Sequence, residues 1–353
     1  MDFTTTACKP VHIHGKLSAR LGRAKQNAAS DMAKTQTLNP DNQGISRAAE
    51  LLSARRLVAF PTETVYGLGG DARADQAVAA IYAAKGRPSF NPLIVHLPDI
   101  AAAQRYVHWS AQAQALADAF WPGPLTLVLP LKAGHGLSHL VTAGLPTVAI
   151  RVPAHPLARR LLQAFGGPVA APSANPSGRI SPTSAAHVLA GLDGKIAAVL
   201  DGGPCAVGLE STIVALEPRP QLLRPGGATA AALAEVLGLA SEALDTDAPS
   251  PGAQPENITA PGQLLSHYAP GALVRLNASA PHPGEVMLGF GAVDGALNLS
   301  AAGDLSEAAT NLFDYLHQLD QPGVAGIAVA PVPDHGVGLA INDRLRRAAA
   351  PRP

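Results

Sequence analysis

From Ile45 onward, short apolar runs that end in polar or small residues alternate with Ala-rich stretches of helical spacing. A strand repeats every second residue and a helix about every 3.6, so a regular exchange of the two patterns demands a layered α/β sheet. Predicted strands are Leu57–Phe60, Leu93–His96, Thr126–Leu129, Thr147–Val152, Val169–Ala171, Ala197–Asp201, Ser211–Ala215 and Gln221–Arg224. Helices are expected between them over Asp75–Ala84, Ser110–Phe120, Pro156–Phe165 and Thr183–Ala190, with Ser181 or Pro182 near the start of the last. This first sheet domain is expected to span 41–238.

Residues 239–271 change character, with Pro249, Pro251, Pro255, Pro261 and Pro270 among small polar residues. About thirty residues exceed what a simple connection needs, so a linker that packs on the first domain or moves over it as a lid is expected. Beyond it, Glu285–Phe290 and Val324–Ala330 read as strands, and Leu305–Leu319 and Gly338–Ala348 as helices, giving a second, smaller α/β domain over 272–353. Residues 1–40 carry Lys9, Lys16, Arg20, Arg23, Lys25 and Lys34 against Asp2 and Asp31. They are expected to form a mobile basic extension, which shares the composition of a mitochondrial targeting segment but lacks its amphipathic helix.

Composition acts by exclusion. The 353 residues suffice for two cores, and 26 Lys+Arg against 26 Asp+Glu give no global charge to attract nucleic acid or an anionic membrane. Any anion specificity is therefore local. Two distant cysteines, Cys8 and Cys205, support neither a disulfide framework nor a zinc cluster, and point to a reducing, cytoplasmic setting. No run approaches the roughly 18 apolar residues of a membrane span.

Three segments carry chemistry. In Lys85-Gly-Arg-Pro-Ser-Phe-Asn-Pro-Leu-Ile-Val-His96, two cations sit in a loop stiffened by Pro88 and Pro92, which can aim both at one polyanion. A nucleotide triphosphate fits, although a solvated surface turn has the same residues. In Phe60-Pro-Thr-Glu-Thr-Val-Tyr-Gly-Leu68, hydroxyls and a carboxylate follow a strand, and Gly67, Gly69 and Gly70 would let backbone approach a ligand. A tight turn capped by Thr62 or Thr64 reads equally well. In Ala170-Ala-Pro-Ser-Ala-Asn-Pro-Ser-Gly-Arg-Ile-Ser-Pro182, Ser173 could donate to phosphate oxygens and Asn175 could offer a donor or a metal-facing carbonyl, or the segment is an ordinary turn.

Arg151, inside an apolar strand, needs a carboxylate, either from a bound amino acid or from Glu63 or Glu210. His96 at a strand end is a ligand contact or a structural histidine. The phosphate-loop pattern Gly-x-x-x-x-Gly-Lys-Ser/Thr, a serine nucleophile elbow around Ser173 and His-Glu-x-x-His are all missing, and no metal-ligand set is expected.

Taken together, Pro61-Thr-Glu-Thr-Val-Tyr-Gly-Leu68, Lys85-Gly-Arg-Pro88 with Asn91-Pro-Leu-Ile-Val-His96, Pro172-Ser-Ala-Asn175 and Glu210-Ser-Thr-Ile-Val214 resemble, in that order, the threonylcarbamoyl-AMP synthase family in its long form. The tail Gly338-Leu-Ala-Ile-Asn-Asp-Arg-Leu-Arg-Arg347 is similar to the family's second domain. The resemblance implies a YrdC-like open twisted sheet domain followed by a smaller Rossmann-like α/β accessory domain. It also implies a nucleotidyltransferase that joins L-threonine, bicarbonate and ATP, with Mg2+ accompanying the nucleotide, into threonylcarbamoyl-AMP and pyrophosphate for tRNA threonylcarbamoyladenosine modification. By motif position it assigns Thr64, His96, Arg151, Ala171 and Ser211 to threonine. Arg87, Asn91, Thr147, Ser173, Ser181, Arg224 and Tyr268 fall to ATP, and Lys85, Arg87, Ser173 and Asn175 to catalysis. The implied partners are a downstream tRNA threonylcarbamoyl-transfer complex and weak tRNA contact, with no membrane. The competing reading is a non-catalytic RNA-binding module using the same basic cavity; neutral charge and 4% aromatic residues count against it.

Overall fold

The structure, a computed structural model, describes residues 34–240, 244, 260–261 and 266–351. Among them a mixed sheet is built from β1 (Gln36–Leu38), β2 (Val58–Phe60), β3 (Gly67–Asp71), β4 (Ile94–His96), β5 (Leu125–Pro130), β6 (Thr147–Arg151), β7 (Val169–Ala170), β8 (Ala198–Leu200), β9 (Thr212–Ala215) and β10 (Gln221–Arg224). Their order is β1-β8-β2-β3-β7-β4-β6-β5-β9-β10. A second sheet holds β11 (Leu273–Arg275), β12 (Glu285–Gly289), β13 (Leu297–Asn298) and β14 (Gly326–Val329) in the order β11-β14-β12-β13, with every pair parallel. The α/β class expected from the alternating pattern is the one the chain adopts.

The period of two sorts the large sheet's side chains onto two faces. Val95, Leu127, Leu129, Val148, Ile150 and Val214 enter one core, with the helices Asp75–Lys85, Ala111–Phe120 and Ala230–Leu237 contributing to it. Their neighbours Ile94, Val128, Ala149 and Ile213 face the opposite way and meet only a small cluster that includes Ala260. Farther along that second face, Val58, Phe60, Val169 and Leu200 are covered by the helices Asn42–Ser53 and Pro156–Phe165. The latter begins on Pro156, ends at left-handed Gly166, and buries Leu157, Ala158, Leu161 and Leu162 along one stripe. Two helices thus seal one end of this face. The other end, over β4, β6, β5 and β9, is left for the site.

Two expectations need correcting. Gly67, Gly69 and Gly70 do not form a turn but lie in strand β3, antiparallel to β2, and of the three only Gly67 lines the cleft described below. Gly69 and Gly70 are small because their neighbours are large: a Cβ on Gly69 would stand 2.9 Å from Phe60 Cε1, and one on Gly70 3.1 Å from Ile81 Cδ1. The last residues of the stretch 1–40, expected to be a mobile extension, instead join the sheet, since Gln36–Leu38 pairs in parallel with β8. Residues 1–33 lie outside the described residues, as do most of 241–265.

In the second sheet, the helix Leu305–Leu319 crosses from β13 to β14 and buries Ala308, Ala309, Leu312, Phe313, Leu316 and Leu319. That core also takes in Val65, Ile180 and Leu209 from loops of the large sheet, so one apolar cluster joins both sheets. Thr35–Pro353 accordingly forms one compact unit.

Candidate active site

Chain-distant strand ends meet on the open face. β2 ends at Phe60, and the loop before β3 is folded by Thr62, whose Oγ1 lies 2.7 Å from Val65 O and 2.8 Å from Thr64 Oγ1. β4 and β6 pair so that His96 stands opposite Arg151. Arg151 Nη1 donates to Thr64 Oγ1 at 2.9 Å, its Nη2 to Glu63 Oε1 at 2.5 Å and its Nε to Gly123 O at 3.2 Å. Just before β9, Ser211 Oγ sits 2.7 Å from Thr126 Oγ1. Thr64, His96, Arg151, Ser211 and Ala171, the set assigned to threonine, all line one cleft of about 520 Å³ counting its open mouth.

The partner that Arg151 required is Glu63, while Glu210 pairs elsewhere. Burial opposes ionisation of Glu63, yet the charge and hydrogen bond of Arg151 prevail and its pKa falls below the usual carboxylate value. Three of the guanidinium's five N–H groups are engaged. His96 is buried against the edge of Phe60, its Nδ1 has no partner, and burial followed by the nearby Arg151 charge lowers its pKa to about 3. It is a neutral imidazole.

Arg87, Ser173, Arg224 and Tyr268 line the same cleft. Arg87 donates to Asn91 O at 3.3 Å and Pro92 O at 3.1 Å, and Arg224 to Ser211 O at 2.9 and 3.1 Å and Pro261 O at 3.3 Å. Both are buried, and among the described residues neither forms an ion pair. Burial brings Arg87 down to about 10 and also lowers Arg224. Buried cations satisfied only by neutral oxygens carry uncompensated charge, which an anion in the cleft would relieve.

The remaining assigned residues are not on the wall. Lys85 Nζ, expected to face a phosphate, donates at 2.5 Å to both Ser173 O and Asn175 O. It pins the loop that carries Ser173, and burial together with Arg87 holds its pKa well below the ordinary value. Asn175 donates its amide to Pro176 O and Arg179 O, which shapes this loop, and its Oδ1 lies 3.4 Å from Lys85 Nζ. Ser181 Oγ donates to Glu210. Thr147 opens β6 opposite Pro130, away from the cleft lining. Asn91 is fully buried, with both side-chain polar atoms unpartnered.

Tyr268 is enclosed, with φ of 63°, its ring tilted on Phe313 and T-shaped to His267. Ala269 N donates to Gly178 O at 2.8 Å, which docks this end of the linker beside the Ser173 loop. Sequence reading missed Thr126 and His267, which carry no motif signal, and Arg344, whose partner lies 134 residues away.

The family model described as Telomere recombination, covering Sua5, YciO and YrdC, matches residues 50–226. That described as the threonylcarbamoyl-AMP synthase C-terminal domain matches 228–350. A threonylcarbamoyl-AMP synthase of Bacillus subtilis is 42% identical, covering 90% of this chain and 96% of its own, and one of Pyrococcus abyssi is 40% identical over 86% and 94%. The crystal structure of P. abyssi Sua5 complexed with L-threonine superposes with a TM-score of 0.81 at 37% identity, covering 89% of this chain and 97% of the other. With both halves matched in order and the match running nearly end to end, the chain belongs to the threonylcarbamoyl-AMP synthase family in its long, two-part form.

Proposed function

We propose that this chain is an L-threonylcarbamoyladenylate synthase: L-threonine, bicarbonate and ATP give threonylcarbamoyl-AMP, pyrophosphate and water. The observation that carries the reading is one cleft whose wall holds Thr64, His96, Arg151 and Ser211 together with Arg87 and Arg224, two buried cations without an ion-pair partner among the described residues. Threonine's amine adds to the carbon of bicarbonate or carbon dioxide, and the carbamate oxygen then attacks the α-phosphorus and expels pyrophosphate. Two anions must be brought together, so alignment and charge neutralisation matter more than a strong base. Arg151's free N–H groups and the hydroxyls of Thr64 and Ser211 orient threonine, with neutral His96 beside them and Ala171 backbone closing the wall. Arg87, Arg224 and Ser173 take the phosphates, and Asn91 gains partners for its buried amide when the nucleotide enters. Lys85 and Asn175 act by holding the Ser173 loop, and Ser181 through Glu210; Thr147 stands at the margin.

Among the described residues no group of three or more His, Cys, Asp or Glu is placed to hold a metal ion. Mg2+ therefore fits as a companion of the triphosphate, held by phosphate oxygens and water, where it supplies further charge neutralisation. In this reading the large sheet, 41–238, carries the chemistry, Pro261, His267 and Tyr268 of the linker complete the cleft wall, and 272–353 supports it. The product's consumer is a tRNA-modifying transfer complex. Among the described residues no helix is long and apolar enough to cross a membrane. A cytoplasmic setting is part of the proposal, supported by a chain with only two, distant cysteines. A non-catalytic RNA module would want its cations on an open surface, whereas Arg87 and Arg224 are buried. Pyrophosphate release by the purified chain with Mg2+ and ATP, omitting threonine and bicarbonate in turn, tests the reading: release that needs both supports it, and release indifferent to either removes it.

A further inference from the structure

Arg344, on the helix Gly338–Ala349, is the largest fully buried side chain among the described residues, at 1% exposure. No residue of that helix lines the cleft. Even so, Arg344 Nε donates to Glu210 Oε2 at 2.8 Å, its Nη2 to Pro225 O at 3.0 Å and its Nη1 to Asp343 Oδ2 at 2.5 Å. Its guanidinium carbon lies 5.1 Å from the centre of the Tyr268 ring. Glu210 and Pro225 each adjoin a residue of the cleft wall, Ser211 and Arg224 respectively, and Glu210 also accepts from Ser181. One side chain from the accessory part therefore touches three segments that build the site.

Glu210 is the difficulty that this arrangement resolves. It is a buried carboxylate on the wall of a cleft whose cations must stay free for phosphate, and Arg224, bonded to the neighbouring Ser211, has no acidic partner. Left alone, Glu210 would gain most by turning to that cation, because a buried charge seeks the nearest opposite one.

We infer that Arg344 is a positioning residue of this site: by occupying Glu210 it keeps Arg224 available to the triphosphate. This rests on the synthase reading. Docking of the accessory part thereby becomes a condition for nucleotide binding rather than for threonine binding. Among the described residues only Glu210 and Tyr268 link Arg344 to the cleft lining directly, and Arg151 has its own carboxylate in Glu63.

The test is steady-state pyrophosphate release by the full-length chain, with ATP and threonine varied separately at a temperature well below each variant's Tm. Arg344→Met is expected to raise the KM for ATP about tenfold while the KM for threonine stays within about twofold. Adding Glu210→Gln to Arg344→Met removes the competing carboxylate and should bring the ATP KM back to within about threefold of wild type. Arg344→Lys, which keeps a cation for Glu210, should hold it within about threefold. Unchanged KM values in Arg344→Met, or no rescue by Glu210→Gln, would overturn the inference and leave Arg344 a purely structural residue. Should Arg344→Met not fold, the double variant and Arg344→Lys decide, and a tenfold rise in ATP KM in both overturns it. Wild-type protein without threonine-dependent turnover would instead remove the synthase reading, before any variant is compared.

Discussion

Arg151 shows how much of a site a single residue can announce. An arginine inside an apolar strand must be paired, and the chain offered Glu63 and Glu210 as partners. Folding chose Glu63, whose second oxygen accepts from Ala154 N at 2.9 Å and His155 N at 3.3 Å. Glu63→Ala strands the guanidinium, and a loss of about 3–5 kcal/mol is expected by urea unfolding. Because Glu63 titrates below its ordinary value, its contribution is present above that value and disappears as pH falls through the folded-state pKa. Residue type and place singled out Thr64, Arg87, Arg151, Ser173 and Arg224, and the fold brings all five to the wall of one cleft. For Lys85 the sequence offers a lysine close to an arginine, a pattern that reads as phosphate-facing, and its 2.5 Å bonds to Ser173 O and Asn175 O were not legible because they depend on a loop 88 residues away.

Elements were legible where their own pattern sufficed. Strands β4, β6 and β9 and the helix Pro156–Phe165 follow from apolar periodicity and capping residues. β3 does not, because a strand of glycines is defined by Phe60, Ile81 and Val169, which fill the space its side chains would need. The contact between the helices Ala185–Leu192 and Leu305–Leu319 was equally invisible, since it rests on two histidines from distant segments. His187 and His317 stack at 3.9 Å, with Asp314 3.6 Å from His187 Nε2 and Ser181 O 3.2 Å from His317 Nε2. Burial, then the neighbouring His187, lowers His317 to about 4, and burial lowers His187 as well. The unfolded chain binds these protons more readily, so stability should be full above about pH 6.5 and decline as pH falls towards 4, by on the order of 3 kcal/mol. Melting curves across that window check this, and His317→Gln should flatten the decline.

At the scale of the molecule, the two sheets share a core in which Val65, Ile180 and Leu209 pack with Phe313, Leu316 and their neighbours. A boundary drawn from composition alone could not reveal that sharing, because the linker's prolines mark a break in the chain and not in the packing. One consequence is cooperative unfolding. Phe313→Ala, cut into the accessory part's core, is expected to cost about 3–5 kcal/mol and to shift a single calorimetric transition, whereas two separated transitions would contradict a common core. The same union lets the linker's Tyr268 line a cleft whose strands lie elsewhere, and brings Arg344 of the accessory part onto Glu210 of its wall. What the whole assembly must accomplish is the joining of a carbamate and a nucleotide inside one cleft, and the most direct measurement is mass spectrometry of the product formed from 13C-bicarbonate, threonine and MgATP by the full-length protein. Threonylcarbamoyl-AMP carrying the label, formed in step with pyrophosphate, is the expected result; ATP cleaved without labelled adenylate would contradict it.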